Sequence, residues 1–267
     1  MSVGTAAVKV LSYNIHKGVG TDGVTDLERI ADVIRHYDAD IVALQEVMWY
    51  EPWRGKRSHH QELFELLDLP HAAIGLNCRR HFGIYGNVTF SRFPFAAQRN
   101  VDLTVPLKRA RGALHTAVYI GGGAPNLHVF NVHLGLVRLE RRLQMERLIG
   151  EVDGEVGRDA PVLVLGDTND WRDRLFPEVL APAAFTRHTP RQRGPTHGTF
   201  PAWYPVADLD KVFVRGALRL KRVFPSRLAL ARVASDHLPA IVELDVGLVA
   251  ELDLSLDLKL DGATESP

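Results

Sequence analysis

Apolar residues recur along the chain with two spacings, one typical of amphipathic helices and one typical of buried strands. The helical spacing covers residues 26–35, where Asp26 is suited to cap the first turn with its carboxylate. The same spacing predicts helices over residues 59–67 and 138–149, and the last of these carries alternating charges on its outer face. The chain is therefore predicted to contain three helices with one apolar face each.

Short apolar runs predict the strands. They cover residues 8–13, 41–44, 87–90, 113–120, 127–132, 161–165, 211–214 and 240–244. Residues 181–205 are rich in Pro, Gly and basic side chains and predict a long loop. Because strands and helices mingle and no linker separates them, we expect a single α/β domain over residues 1–245. Residues 246–267 are expected to form a C-terminal extension that adds an edge strand or frays, with a disordered end.

Composition narrows the class of protein. With 46% hydrophobic and 24% charged residues in 267, the chain is typical of a globular protein. It contains no apolar stretch long enough for a membrane span, and its first residues lack the pattern of a signal peptide. The single cysteine, Cys78, excludes an internal disulfide and suits a reducing compartment. We therefore expect a cytoplasmic protein without a transmembrane segment.

Charge is balanced overall but not locally. A formal net charge of zero argues against a protein that coats nucleic acid without specificity. Residues 69–101, 179–207 and 211–235 nevertheless contain basic side chains and no acidic ones. Such locally cationic stretches suit a site for an anionic substrate, although solvated loops would have the same composition.

Polar side chains stand where several predicted strands end. Asn14 follows the first strand, Glu46 ends the second, and His133 closes a later one. Asp167 comes directly after the apolar run 161–165, and a buried unpaired carboxylate is energetically expensive. A metal ion or an ion pair near this strand end would explain the carboxylate.

Seven short motifs occur in one order along the chain. They are Tyr13-Asn14-Ile15, Leu44-Gln45-Glu46, Tyr85-Gly86-Asn87 with Ser91-Arg92, Asn131-Val132-His133-Leu134, Gly166-Asp167-Thr168-Asn169, residues 209–214, and Ser235-Asp236-His237. In this order and spacing they resemble the endonuclease/exonuclease/phosphatase superfamily, the DNase-I-like metal-dependent phosphoesterases. The resemblance extends over residues 8–244. It implies a four-layer α/β sandwich, in which two mixed β-sheets pack face to face and helices flank them.

The resemblance also implies a metal site. Glu46 corresponds to the direct ligand of Mg²⁺, a cation that prefers carboxylate oxygens, and Mn²⁺ is an alternative. Asn14 is expected beside the metal, where it would orient Glu46 or a water molecule. Asp236 is expected to bring a second carboxylate to the metal region.

Five further residues are assigned to catalysis by the same resemblance. Asp167 would orient and deprotonate the attacking water, and Asn169 would donate a hydrogen bond to a phosphoryl oxygen. His237, kept protonated by Asp210, would stabilise charge in the transition state. His133 would contact the phosphate or protonate the leaving oxygen.

Two residues are candidates for binding the substrate phosphate. Arg111 precedes a strand and matches a position of one subfamily, and its guanidinium suits two-point contact with phosphate. A simple loop arginine is the alternative. Asn87 follows the family pattern, with a polar strand-starting residue as the alternative.

Two departures from the family pattern concern the site. DNA-repair members carry an acid two residues after the Asn of the first motif, where this chain has His16 followed by Lys17. The loss of that carboxylate puts two-metal binding in doubt. The region before Tyr85 contains no acid to orient a catalytic histidine, which weakens the assignment of His133 as a general acid.

The sequence therefore predicts a Mg²⁺-dependent hydrolase that cleaves a phosphate mono- or diester, with an undefined substrate. An endonuclease or exonuclease acting on DNA or RNA is the alternative, although zero net charge does not favour a nucleic-acid partner. A non-catalytic binding module that retains the fold is the second alternative. No protein partner can be inferred.

Overall fold

The computed structural model describes residues 6–247, with the exception of Pro52, Arg54, Phe82, 122–125 and 188–197. Within these ranges the backbone forms two six-stranded β-sheets and four α-helices. The expected strand or disorder of residues 248–267 lies outside the described residues. No helix in the described ranges combines the length and apolar composition needed to cross a membrane.

The strands are numbered in chain order. They are β1 (Ala6–Asn14), β2 (Ile41–Trp49), β3 (His71–Arg80), β4 (Gly83–Ser91), β5 (Phe95–Asp102), β6 (Gly112–Val118), β7 (Leu127–His133), β8 (Val162–Asp167), β9 (Thr186–Arg187), β10 (Asp210–Arg215), β11 (Leu218–Pro225) and β12 (Ala240–Val246). The first sheet has the order β11-β12-β1-β2-β4-β3, and the second has the order β5-β6-β7-β8-β10-β9. Each sheet is mixed, because β1 pairs in parallel with β2 and β7 pairs in parallel with β8, while the other pairs are antiparallel.

The helices are α1 (Leu27–Tyr37), α2 (His59–Leu67), α3 (Arg138–Glu155) and α4 (Ala231–Ala234). Helices α1, α2 and α4 cover the outer face of the first sheet, and α3 covers the outer face of the second. Along β1, Val10 faces the other sheet whereas Leu11 faces the helices, and both are fully buried. Burial on both faces explains why the central strands read as continuous apolar runs. Each such side chain contributes about 1.5–3 kcal/mol of transfer free energy.

The four-layer sandwich of two mixed sheets is confirmed. Each of the eight predicted strands corresponds to an observed strand, and each of the three predicted helices to an observed helix. The strands that the pattern did not predict, β3, β5, β9 and β11, are the four edge strands of the two sheets. Edge strands pair on one side and leave many side chains in solvent, as in β5, so their sequences lack a continuous apolar run.

The topology brings several strand ends to the same edge of the sandwich. In the parallel pairs, Asn14 lies opposite Gln45 and His133 lies opposite Asp167. Antiparallel β10 begins at Asp210 opposite Asp167, and β12 begins opposite the end of β1. Polar residues that are far apart in the sequence therefore meet at one end of the two sheets.

Candidate active site

Glu46 is placed by a β-bulge in β2. Leu44 pairs with Val88 and Val47 pairs with Gly86, so two residues of β2 oppose the single Asn87 of β4. Glu46 itself has a left-handed backbone (φ 59°), which is uncommon outside glycine. The bulge turns the carboxylate out of the regular pleat, and it lines the cavity at the end of the sandwich.

Asp167, at the end of β8, is held in place by β1, by β7 and by the residues that follow β8. Gly166 adopts φ +135°, and a Cβ there would lie 2.1 Å from the carbonyl oxygen of Val132, so the close parallel pairing needs glycine. Asp167 Oδ2 accepts a hydrogen bond from Asn14 Nδ2 (3.0 Å), and its Oδ1 accepts one from the backbone N–H of Asn169 (3.0 Å). Burial raises the pKa of Asp167 to about 6, against the lowering effect of His237. The carboxyl group is thus suited to accept a proton near neutral pH.

His237 and Asp210 form a buried pair. Asp210 Oδ2 lies 2.8 Å from His237 Nδ1, and His237 Nε2 lies 3.8 Å from Asp167 Oδ2. Burial alone would lower the pKa of His237, but the carboxylates of Asp210 and Asp167 outweigh it and raise the pKa to about 10. The two carboxylates therefore favour the charged form of the imidazole at neutral pH.

His133 has the opposite electrostatic character. Its Nε2 lies 3.5 Å from Asp167 Oδ2 and 3.9 Å from Glu46 Oε1. Burial lowers the pKa of His133 well below its ordinary value, and the cations Arg111, His237 and Lys17 lower it further. His133 is a neutral imidazole that can give or take a hydrogen bond.

These side chains surround one cavity of about 270 Å³. Its basic lining residues are Lys17, Arg80, Arg109 and Arg111, and its apolar ones include Leu136 and Phe200. Arg111 is only 6% exposed and its Nε has no hydrogen-bond partner. A desolvated guanidinium at a cavity is an energetically costly arrangement that an anion would relieve.

Most of the predicted site residues meet at this cavity. The residues that line it are Asn14, Glu46, Arg111, His133, Asp167, Asn169, Asp236 and His237. Asp210 contacts the Nδ1 atom of His237. The Nδ2 of Asn14 donates to Asp167, and the Oδ1 of Asn14 accepts from the backbone N–H of His16. Among the described residues, no hydrogen bond joins Asn14 to Glu46, in contrast to the expected contact.

Asn87 does not line the cavity, in contrast to its predicted contact with the substrate phosphate. It is 1% exposed, and its Nδ2 donates to the carbonyl oxygens of Gly112 (3.1 Å) and Asn131 (2.8 Å). The side chain points between the two sheets because successive residues of a strand face opposite sides, and Val88 and Phe90 face the helices. Asn87 therefore ties β4 to the second sheet and is not placed to bind a substrate phosphate.

The donor set fits a hard divalent cation. Glu46 and Asp236 line the same cavity, and a cation, the ammonium of Lys17, already contacts Glu46 Oε2. Within the part of the chain that the structure describes, no group of three or more His, Cys, Asp or Glu is arranged to hold a metal alone. Mg²⁺ commonly binds through one or two carboxylates and completes its shell with water and substrate phosphate. The residues present meet that requirement.

Sequence reasoning did not assign several residues of the cavity. They are Lys17, Arg80, Arg109, Leu136 and Phe200, which line the cavity without a role predicted from the sequence. Lys17 follows the end of β1 by three residues, so its position in the same loop as Asn14 was a usable signal. Arg80, Arg109 and Phe200 lie outside the motifs, and only the tertiary structure brings them to the site.

Comparisons with known proteins agree with the fold and the motifs. Residues 11–237 match the Endonuclease/Exonuclease/phosphatase family. The Uncharacterized protein YbhP of Escherichia coli (strain K12) is 33% identical over 247 residues, covering 88% of this chain and 95% of that protein.

Two solved structures show the same fold. An endonuclease/exonuclease/phosphatase from Beutenbergia cavernae superposes with a TM-score of 0.78 at 26% identity, covering 90% of this chain and 72% of that chain. The mannosyl-6-phosphatase Bt3783 of Bacteroides thetaiotaomicron superposes with a TM-score of 0.68 at 18% identity, covering 89% and 99% respectively. The second likeness concerns the fold alone.

Proposed function

Because this chain belongs to the endonuclease/exonuclease/phosphatase family, we propose that it is a divalent-metal-dependent phosphoesterase, with Mg²⁺ as the first choice of metal. It hydrolyses a phosphate mono- or diester by in-line attack of an activated water. The observation that carries this proposal is the meeting of Asp167, the Asp210–His237 pair and the buried Arg111, whose Nε has no hydrogen-bond partner, around one cavity.

Asp167 is the proposed base for the attacking water. With a pKa of about 6, it is largely ionised at neutral pH yet basic enough to accept a proton. The hydrogen bonds from Asn14 Nδ2 and the Asn169 backbone fix both carboxylate oxygens. This fixed orientation reduces the entropy lost when the water attacks.

His237 and Asn169 are the proposed stabilisers of charge on the phosphoryl oxygens. His237 is cationic and kept in place by Asp210, so its charge needs no reorganisation during the reaction. One N–H of the Asn169 amide donates to the carbonyl oxygen of Leu134 (3.1 Å), which leaves the other N–H for a phosphoryl oxygen.

Glu46 and Asp236 are the proposed carboxylates for the metal. When bound, a divalent metal supplies Lewis-acid polarisation of the phosphoryl group and neutralises charge on the leaving oxygen. His133 is neutral, so we assign it a hydrogen bond to the substrate rather than the role of a cationic acid.

The substrate is expected to be anionic. Three arginines, Arg80, Arg109 and Arg111, line the cavity, and the Nε of the buried Arg111 has no hydrogen-bond partner. Arg111 is the proposed phosphate contact, and the two rim arginines favour an ester with further negative charge. A cavity of about 270 Å³ favours a small ester over a long duplex groove.

Action on a nucleic-acid end is the second candidate. Phe200 lines the cavity, and Trp171 packs edge-on against it with ring centroids 5.7 Å apart while remaining 54% exposed. Aromatic surfaces of this kind can stack on bases, which is the usual mode of binding single strands. The site therefore has an aromatic side as well as a cationic one.

The test compares p-nitrophenyl phosphate, bis-p-nitrophenyl phosphate, sugar phosphates, phospholipids and nicked or single-stranded DNA. Each is assayed with Mg²⁺ or Mn²⁺ and again with excess chelator. We expect metal-dependent turnover that Asp167→Asn reduces by about 10²–10⁴-fold while the protein stays folded. Turnover of none of these esters would favour the non-catalytic binding module, and turnover of DNA alone would favour the nuclease.

A further inference from the structure

Lys17 occupies the cation position beside the proposed metal ligand. Its ammonium donates to Glu46 Oε2 and lies 5.3 Å from the centroid of the Tyr85 ring. Among the ion pairs of the described residues, Glu46 is the only carboxylate that Lys17 contacts. A cation between a carboxylate and an aromatic face is doubly stabilised. Glu46, a proposed metal ligand, is thus neutralised by the protein itself.

The backbone that presents Lys17 is unusual. His16 (φ 46°) and Lys17 (φ 59°) are two consecutive non-glycine residues in the left-handed region. Each such residue is unfavourable by about 1–3 kcal/mol and persists only where the surroundings enforce it. Here the turn is enforced by hydrogen bonds from Gly18 N to Ile15 O (2.7 Å) and from Val19 N to His16 O (3.0 Å).

The same turn is tied to the catalytic residues. The backbone N–H of His16 donates to Asn14 Oδ1 (3.0 Å), and the other end of that amide donates to Asp167. The backbone of Lys17 is therefore held at a fixed position relative to Asn14 and Asp167. Its side chain remains 35% exposed, so the ammonium can leave Glu46 without disturbing the core.

We propose that Lys17 is a resident counter-ion that competes with the divalent metal for Glu46 and turns to the phosphate when the metal binds. The proposal rests on the proposed function, since it concerns the same metal and the same anion. A metal that enters alone must displace the ammonium from Glu46. An anionic substrate offers the ammonium a new partner, so metal and substrate favour each other's binding, and this coupling is reciprocal.

The experiment measures Mn²⁺ binding by electron paramagnetic resonance, with and without inorganic phosphate. The variants are Lys17→Met, Lys17→Arg and, as a matched control, Lys221→Met. Methionine is unbranched and similar in length, so it adds no new backbone strain. Lys221 also pairs with a carboxylate, Asp245 (2.6 Å), but it lies on β11 away from the cavity.

We expect Lys17→Met to bind Mn²⁺ about tenfold more tightly than the unmodified protein, because a nearby positive charge is removed. Lys17→Arg should restore weak binding, and Lys221→Met should change it less than about twofold. Phosphate should strengthen Mn²⁺ binding more in the unmodified protein than in Lys17→Met. Lys17→Gln, with the same expectation, replaces Lys17→Met should that variant fail to fold.

Equal or weaker Mn²⁺ binding by Lys17→Met, or equal coupling to phosphate in both proteins, would overturn the proposal and leave the metal-dependent function standing. Absence of Mn²⁺ binding in every variant, including Lys17→Met, would overturn both. Binding by Lys17→Met alone would support the counter-ion in its strongest form.

Discussion

Asp210 Oδ2 lies 2.8 Å from His237 Nδ1, and the two side chains are 0% and 6% exposed. The pair joins the start of β10 to the residues just before β12, across the two sheets. A buried carboxylate at this distance fixes both the orientation and the charge of the imidazole. The second ring nitrogen, Nε2, is left to face Asp167 and the cavity.

Asp210→Asn should remove the charge that keeps His237 protonated. We expect the pKa of His237 to fall and the rate constant kcat to drop by about 10²–10⁴-fold, with a smaller change in KM. The measurement is the pH–rate profile together with the titration of the imidazole by NMR. Asp102→Asn, on exposed β5, is the control for loss of one negative charge. An unchanged His237 titration would contradict the assignment.

The same pair should make stability depend on pH at the alkaline end. The pKa of His237 is raised from 6.5 to about 10 on folding, so the folded state holds the proton more tightly. This contribution is fully present below pH 6.5 and is lost as the pH rises through about 10. Urea unfolding with chelator present should show the decline, and it should be weaker in Asp210→Asn. Parallel curves of stability against pH for the two proteins would exclude this contribution of His237.

Arg111→Gln should affect binding and stability in opposite directions. We expect phosphate or phosphate-ester affinity to fall at least about tenfold, because a charge-assisted contact is lost. The free protein should unfold at an equal or higher temperature, since a buried guanidinium whose Nε has no hydrogen-bond partner is removed. Calorimetric titration and thermal unfolding provide the two measurements, and Arg99→Gln, exposed and paired with Glu151, is the control. A marked loss of stability would instead indicate a structural arginine.

Asn131→Leu should strongly destabilise the protein, although Asn131 is not one of the residues that line the cavity. Asn131 is fully buried on β7, and its Nδ2 donates across the sheet interface to the carbonyl oxygens of Leu44 and Val88 (3.1 Å each). Its Oδ1 accepts from Gln45 Nε2 (2.8 Å). Leaving such groups unpaired should lower the free energy of unfolding by about 2–5 kcal/mol. Urea unfolding measures this, and a loss below about 1 kcal/mol would mean that water replaces the amide.

His115 should make the protein less stable in mild acid. It stacks on Phe130 with ring centroids 4.3 Å apart, and its Nε2 lies 3.0 Å from His128 Nδ1. Burial, with His128 and Arg99 nearby, lowers the pKa of His115 from 6.5 to about 4. The unfolded chain therefore binds the proton more tightly, and stability should fall as the pH drops from 6.5 towards 4. In His115→Gln that slope should be shallower, and an identical slope would show that other groups cause the acid sensitivity.

The sequence by itself determined the central strands, the three longer helices and most of the residues that line the cavity. Central strands are buried on both faces, so their apolar runs are unbroken. Asn14, His133 and Asp167 are the last residues of their strands as predicted, whereas Glu46 lies inside β2 at its bulge and does not end the strand. Parallel pairing then brings Asn14, Glu46, His133 and Asp167 to one edge, which the order of the motifs already indicated.

Only the tertiary structure decided the edge strands, the inward position of Asn87 and the partners of Lys17 and Arg111. Edge strands have no continuous buried face to mark them, and Asn87 is held between the sheets by hydrogen bonds to Gly112 and Asn131 of the second sheet. The contact of Asn14 with Asp167 spans 153 residues of sequence, and that of Lys17 with Glu46 spans 29. Such contacts depend on strand register and on how the two sheets pack, and neither is encoded in the local spacing of polar and apolar residues.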